Sequence, residues 1–166
     1  LEYGKKCVKK FNGMWAFAIY DEKNQKIFLS RDRTGQKPLF YYFDGKKFIF
    51  SSEIKGILKH NINPKINPEA VDLYFSLGFI PSPYSIYKNI YKVEQRQNIV
   101  FDLKKNKLEK HFYYDWPEYS PSRNKEELIK KTKHHVNESV KKRLISDVPL
   151  GAFLSGGLDS TTIVAE

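Results

Sequence analysis

The most chemically informative residues of the sequence form a short glycine loop near its C-terminus. Residues 155–160 read Ser-Gly-Gly-Leu-Asp-Ser and follow a mostly apolar run from Val148 to Leu154. That run has the length of a buried strand, and Thr161 to Ala165 can form a helix. Glycines let the backbone approach a ligand closely, and the first N–H groups of a helix have no acceptor inside it. The pattern therefore predicts an anion site, for which phosphate is the natural ligand.

Asp159 distinguishes this loop from a Walker-type phosphate loop. A Walker loop ends in Gly-Lys-Ser/Thr, whereas no lysine lies between Val148 and Glu166. A carboxylate beside a phosphate is repelled unless a cation bridges them, so Asp159 predicts Mg²⁺. Ser155 and Ser160 can each donate a hydroxyl proton to a phosphate oxygen. The alternative is an ordinary turn in which Asp159 or Ser160 caps the helix.

The loop and the residues before it resemble a known family. Residues 155–160 are similar to the pyrophosphate-binding loop of the N-type ATP pyrophosphatases, and the preceding Ser-Asp-Val-Pro-Leu-Gly at 146–151 makes the segment resemble the glutamine-hydrolysing asparagine synthetases. The resemblance implies a ligase that cleaves ATP to AMP and pyrophosphate, with ATP and Mg²⁺ as cofactors. It assigns the metal to Asp159. It assigns ATP and pyrophosphate binding to Leu154, Ser155, Gly156, Gly157, Leu158, Asp159 and Ser160.

Residues 11–21, 31–42 and 51–55 resemble the later half of the same family's class II glutamine amidotransferase domain. The nucleophile of that domain is an N-terminal cysteine, and we expect no glutaminase catalytic residue in this chain. Cys7 is not a substitute, because its nitrogen is part of a peptide bond. Met14 matches a position that lines the family's ammonia tunnel, although a core methionine on a strand is an equal alternative. Gln36 stands where the family more often has an apolar residue.

The expected fold class is α+β, with the antiparallel sheets of a class II amidotransferase domain, followed by the start of an α/β adenine nucleotide hydrolase-like domain. The first part is predicted to be a meander of strands in which Asp44-Gly45 forms a two-residue hairpin. The predicted strands are 15–20, 27–30, 38–43, 48–50, 99–103 and 108–114. The predicted helices are 54–58, capped by a serine at 51 or 52, and a longer one from Asn67-Pro68-Glu69 to Gly78.

A proline- and serine-rich stretch at 116–122 predicts a domain boundary. We expect the amidotransferase-like part at 1–115, a linker at 116–124 and the truncated start of the synthetase domain at 125–166. Asn124 and Glu127 form a capping box for a helix with one apolar stripe. Adjacent His134 and His135 cannot share a helix face, so a metal pair is not expected.

The amino-acid composition limits the classes of protein to which this chain can belong. Hydrophobic residues make up 40% of the 166 residues, enough to build a core. The net charge of +10 comes from short lysine runs spread along the chain, and no nucleic-acid motif accompanies them, so we expect no nucleic-acid partner. No apolar run is long enough to span a bilayer, so we expect no membrane partner. The single cysteine favours a cytoplasmic protein.

The function expected from the resemblance is that of an asparagine synthetase, which amidates aspartate with ammonia from glutamine and consumes ATP. The partial chain is expected to be inactive alone, and a homodimer of the complete enzyme is left open. Three alternatives stand beside this interpretation: a related amidotransferase that amidates another carboxylate, another N-type ATP pyrophosphatase, and a non-catalytic truncated protein.

Overall fold

The computed structural model describes residues 2–121 and 124–166, and the chain divides into two compact units between Trp116 and Pro117. Unit 1 holds a 3₁₀ helix (Gly4–Lys10), strands β1 (Ala16–Asp21), β2 (Lys26–Arg31), β3 (Phe40–Phe43), β4 (Phe48–Ser51), β5 (Ile90–Lys92), β6 (Gln97–Asp102) and β7 (Lys107–Phe112), and helices α1 (Ile54–Leu58) and α2 (Pro68–Leu77). Unit 2 holds α3 (Lys125–Arg143) and α4 (Leu158–Ala165). The predicted linker 116–124 includes Ser122 and Arg123, which lie outside the described residues.

The strands of unit 1 form two antiparallel sheets, which confirms the α+β class of this part. One sheet has the order β1-β2-β6-β7, and the other has the order β4-β3-β5. The predicted meander is wrong at one point, because β2 pairs with β6 and β3 pairs with β5, so the chain leaves the first sheet between β2 and β3. Strand β5 was not predicted, since three residues are too few to show a period.

One apolar cluster draws on both sheets. Leu29 and Ile99 come from the first sheet and Tyr41 from the second, and all three are fully or almost fully buried. The rings of Phe101 and Phe48 stack with their centroids 4.4 Å apart. Aromatic stacking of this kind adds to the free energy of apolar burial. The two sheets therefore share a core, and their position relative to each other depends on it.

One predicted turn and one predicted helix cap differ in detail from the structure. The β3–β4 hairpin exists, but its loop has four residues, because Phe43 pairs with Phe48. The carboxylate of Asp44 accepts hydrogen bonds from the N–H groups of Lys46 and Lys47 at 2.9 and 2.8 Å, which stabilises the longer loop. Helix α1 has the predicted bounds, but its N-cap is Glu53 and no side chain within the described ranges caps it. The serine prediction was wrong because Ser51 lies in β4.

Helix α2 confirms the prediction made from its terminal residues. Asn67 is the N-cap, Pro68 occupies the first turn, and Gly78 ends the helix with a φ of 77°. This left-handed conformation costs glycine little, because it has no Cβ. Only Ala70 of the helix is fully buried among its described residues.

The connection between the two sheets is held by the carboxylate of Asp32. This carboxylate is fully buried and accepts hydrogen bonds from the backbone N–H groups of Trp15, Thr34, Gln36 and Lys37, at 3.3, 3.1, 3.0 and 3.0 Å. Burial acts to raise the pKa of Asp32, but the four backbone donors outweigh it and hold the pKa below its usual value. Asp32 therefore satisfies the polar backbone of a loop that has no sheet partner of its own.

Arg31 complements Asp32 by donating to backbone carbonyl groups. Its guanidinium nitrogens lie 2.8, 2.6 and 2.5 Å from the carbonyl oxygens of Lys37, Gly35 and Val93. Its own carbonyl accepts from the hydroxyl of Tyr113 at 2.9 Å. Burial, aided by the charge of Asp32, raises the pKa of Tyr113 to about 12, so the phenol stays protonated as a donor at neutral pH. Arg31 thus links the end of β2 to the segments after β5 and β7.

Arg96 connects to the same loop from the β5–β6 turn. Its N–H donates to the carbonyl of Asp32 at 2.8 Å, and its guanidinium donates to the carbonyl of Tyr114 at 3.1 Å. The backbone of Arg96 has a φ of 56°, in the left-handed region that side chains with a Cβ rarely adopt. The side-chain contacts therefore hold a strained backbone in place.

Unit 2 departs from its prediction in one element. Helix α3 begins as expected, with the side chain of Asn124 accepting from the N–H of Glu127 at 2.9 Å. The described residues 148–154, predicted as a buried strand, form no strand, and Val148, Leu150 and Leu154 are exposed. A strand needs a neighbour for its backbone hydrogen bonds, and the described part of unit 2 contains no other strand. Apolar side chains of α3, its C-cap Leu144 and α4 line an open groove: Val136, Val140, Leu144, Ile163 and Val164.

Replacing Asp32 with Asn is expected to lower the free energy of unfolding of unit 1 by about 2–4 kcal/mol. The amide has the same size, but it loses the charge and directs N–H donors at groups that are donors themselves. The measurement is urea unfolding followed by tryptophan fluorescence, since Trp15 and Trp116 are the two tryptophans of the chain and both lie in unit 1.

The control is Asp72→Asn on the exposed surface of α2, whose free energy of unfolding should stay within about 0.5 kcal/mol of that of the parent chain.

The contribution of Asp32 to stability depends on pH with a definite sign. Because the folded-state pKa of Asp32 is depressed, its contribution is complete above the usual pKa of an aspartate and is lost as the pH falls through the lower folded-state pKa. Equal effects of the two substitutions, or acid unfolding unchanged by Asp32→Asn, would contradict this role.

Arg96→Gly is expected to be more stable than Arg96→Ala by about 1 kcal/mol, because both lose the same side-chain contacts and only alanine resists the positive φ. Chemical unfolding of the two variants measures the difference. At Lys110, in the extended strand β7, the same pair of substitutions should show the opposite order, since glycine weakens a strand. Alanine matching glycine at position 96 would show that the backbone there is not strained.

Candidate functional site

The glycine loop of unit 2 connects an extended segment to the start of α4. Gly156 has a φ of 79°, and Gly157 is the N-cap, with φ −80° and ψ 159°. The N–H of Thr161 donates to the carbonyl of Gly157 at 3.0 Å, which is the first hydrogen bond of the helix. The N–H groups of residues 158–160 precede this bond and have no acceptor within α4. They give the helix N-terminus its partial positive charge.

Two serine hydroxyls flank this helix start. The Oγ atoms of Ser155 and Ser160 lie 3.0 Å apart, and the hydroxyl of Ser160 lies 3.1 Å from the carbonyl of Gly157, to which it can donate. The structure thus brings together the two serines that the sequence predicted as phosphate donors. The alternative in which Asp159 or Ser160 caps α4 is wrong, because the N-cap position is Gly157, which has no side chain.

Asp159 lies in the first turn of α4, and its carboxylate is exposed. An acidic side chain there interacts favourably with the positive end of the helix. Within the described ranges, no group of three His, Cys, Asp or Glu side chains is arranged to hold a metal ion. A cation at Asp159 would therefore need further oxygen ligands from a bound phosphate and from water, which is the coordination Mg²⁺ prefers. The donor set fits Mg²⁺ together with a phosphate group.

Met14, which the resemblance matched to an ammonia tunnel, and Gln36, which departs from the family pattern, both lie at backbone donors of the Asp32 carboxylate or next to one. Asp32 accepts from the N–H of Trp15, which follows Met14, and from the N–H of Gln36 itself. Met14 precedes β1 and is 47% exposed, so the alternative of a core methionine on a strand is wrong. The amide of Gln36 donates to the hydroxyl of Thr34 at 2.9 Å. Asp32 thus fixes the backbone of Trp15, next to Met14, and the backbone of Gln36, a role that the sequence reasoning missed.

Cys7 lies in the 3₁₀ helix and is partly buried. Its nitrogen is part of the backbone, as it must be at an internal position. The rings of His134 and His135 are 5.5 Å apart on α3 and belong to no metal-binding group among the described residues. The loop at 154–160 is therefore the best candidate site in the described chain.

The architecture of unit 1 is that of an antiparallel α+β domain. Comparison with known families identifies the family to which this domain belongs. The family described as glutamine amidotransferase domain matches residues 1–114, and the family described as asparagine synthase matches residues 131–166. The first match covers most of the chain, so the chain belongs to the glutamine amidotransferase domain family. The resemblance found from the sequence is confirmed at the level of the family.

Several named relatives are similar to this chain over nearly its whole length. It is 59% identical over 164 residues to "Putative asparagine synthetase [glutamine-hydrolyzing] 2" of Methanocaldococcus jannaschii, covering 97% of this chain and 32% of that protein. It is 35% identical over 167 residues to asparagine synthetase 3 (glutamine-hydrolyzing) of Bacillus subtilis, covering 99% and 27%. It is 27% identical over 165 residues to amidase chry2 of Gibberella zeae, covering 97% and 24%. The chain spans about a third of the length of these relatives or less.

Among the described residues, no helix combines the length and the apolar composition that crossing a membrane requires.

Gly156→Ala is expected to disturb the loop, whereas Gly157→Ala is tolerated. Both added Cβ atoms have room, since the first meets nothing within 4 Å and the second meets the Oγ of Ser155 at 3.6 Å. Only Gly156 has a positive φ, at 79°, so only there does a Cβ cost about 1 kcal/mol of backbone strain. Backbone amide chemical shifts of residues 155–161 should move widely in the first variant and only locally in the second. Similar shift changes in both variants would refute the loop conformation.

Proposed function

We propose that this chain is part of a glutamine-dependent asparagine synthetase, an ATP-consuming ligase that transfers ammonia from glutamine to aspartate. Its support is the family match of unit 1 together with relatives that carry this name. Glutamine, ATP and aspartate are then the substrates of the complete enzyme. Because the chain spans 32% of its M. jannaschii relative, other parts of both active sites would come from the rest of such an enzyme.

The observation that carries the synthetase half of the proposal is the start of α4. Residues 158–160 offer backbone N–H groups ahead of the first helical hydrogen bond, and the hydroxyls of Ser155 and Ser160 lie 3.0 Å apart beside them. We assign Leu154, Ser155, Gly156, Gly157, Leu158, Asp159 and Ser160 to binding of ATP and its pyrophosphate. Each phosphate oxygen needs donors close to the charge, and a loop with glycines allows that approach.

In the proposed site, the hydroxyl of Ser160 can donate either to the carbonyl of Gly157 or to an oxygen of bound pyrophosphate. A hydroxyl has one proton, and that of Ser160 is within reach of the Gly157 carbonyl at 3.1 Å. Binding of pyrophosphate would exchange hydrogen bonds inside the loop for bonds to phosphate oxygens. Charge-assisted hydrogen bonds are stronger than neutral ones, so this exchange favours the anion.

Mg²⁺ fits the same site through Asp159. ATP cleavage to AMP and pyrophosphate creates charge on the departing pyrophosphate, and a bound Mg²⁺ supplies electrostatic stabilisation of that charge. Asp159 would hold the ion as a single carboxylate ligand. In the absence of a cation, the same carboxylate would repel the phosphate, so the proposal requires the metal and the nucleotide to bind together.

We assign residues 1–115 to the C-terminal half of a class II amidotransferase-like domain, 116–124 to a linker and 125–166 to the start of an adenine nucleotide hydrolase-like domain. The division of the chain between Trp116 and Pro117 supports these boundaries. The order of α3, the apolar segment 148–154, the glycine loop and α4 supports an α/β unit. A loop that leads into a helix N-terminus can bind an anion there.

Unit 1 would contribute structure rather than glutaminase chemistry. Cys7 lies within the 3₁₀ helix and cannot provide the α-amine that assists an N-terminal nucleophile. Met14 is our candidate for the ammonia path, and Gln36 would place a polar amide near it. The Asp32 hydrogen bonds to the adjoining backbone would keep the two in a fixed relation.

A related amidotransferase acting on another carboxylate is the second candidate. It is favoured by the similarity to amidase chry2, whose name specifies no aspartate chemistry. The two candidates share the loop and differ in the carboxylate pocket. An assay of AMP formation with aspartate and with other carboxylic acids, using an enzyme of full relative length that carries this chain, separates them. The match of residues 1–114 to an amidotransferase family counts against an N-type pyrophosphatase that uses no glutamine.

Asp159→Asn, in an enzyme of the relatives' length that carries this chain, is expected to lower kcat/KM for ATP-dependent amidation by at least about 100-fold, because the Mg²⁺ ligand is lost. Glutaminase activity should stay within about twofold of the parent, since it requires no pyrophosphate site. The measurements are AMP release and glutamate release. Glu118→Gln removes an exposed carboxylate outside the loop and serves as the control. Parallel loss of both activities in Asp159→Asn would refute the assignment.

A further inference from the structure

We draw no further inference here: the strongest candidate, the exposed apolar patch at the C-terminal end of α2 formed by Tyr74, Phe75, Leu77 and Phe79, carries nothing because nothing in the structure shows what covers it.

Discussion

The buried carboxylate of Asp32 is the interaction on which the structure of unit 1 depends. The chain must leave the first sheet after β2 and enter the second at β3, and the backbone between them cannot pair with a strand. Four backbone N–H groups bind to Asp32 instead, while Arg31 binds three carbonyls. Most of these donors and acceptors belong to the loop between β2 and β3, and the others, Trp15 and Val93, tie that loop to the segments before β1 and after β5. A buried carboxylate with this many donors is stabilising, whereas the same group without them would be costly.

The same contacts fix several segments of unit 1 relative to one another. Tyr113 and Arg96 bind the backbone of Arg31 and Asp32, so the ends of β2 and β7 and the β5–β6 turn meet at one point. Met14 and Gln36 adjoin this point. In the proposed enzyme, an ammonia path needs walls that do not open to water, because escaping ammonia is lost to the reaction and an acyl-adenylate is readily hydrolysed. A loop held by charge-assisted hydrogen bonds suits that requirement.

Much of the fold could be predicted where a local pattern determines it. Apolar runs on either side of a polar turn located β1 and β2, and Asn67, Pro68 and Gly78 marked both ends of α2, because turn and cap signals act over a few residues. The separation into two sheets depends on Arg31 and Asp32, whose partners lie up to 82 positions away, and no period reveals such contacts. The strand at 148–154 was predicted from composition alone. Its apolar residues are exposed in the structure. A strand forms only beside a partner strand, and the composition of a segment does not show whether a partner is present.

The candidate site could be predicted in more detail than the sheets, because its chemistry lies in consecutive residues. Ser155 and Ser160 were predicted together and lie together, and the positive φ of Gly156 gives a physical reason for a glycine there.

The most direct test of the proposed pyrophosphate site is an NMR titration of the isotope-labelled chain with inorganic pyrophosphate, with and without Mg²⁺. We predict saturable amide shifts confined to residues 155–161 that require Mg²⁺ and are lost in Asp159→Asn. Shifts spread over the lysines of α3, or no saturation with Mg²⁺ present, would contradict a pyrophosphate site in this loop.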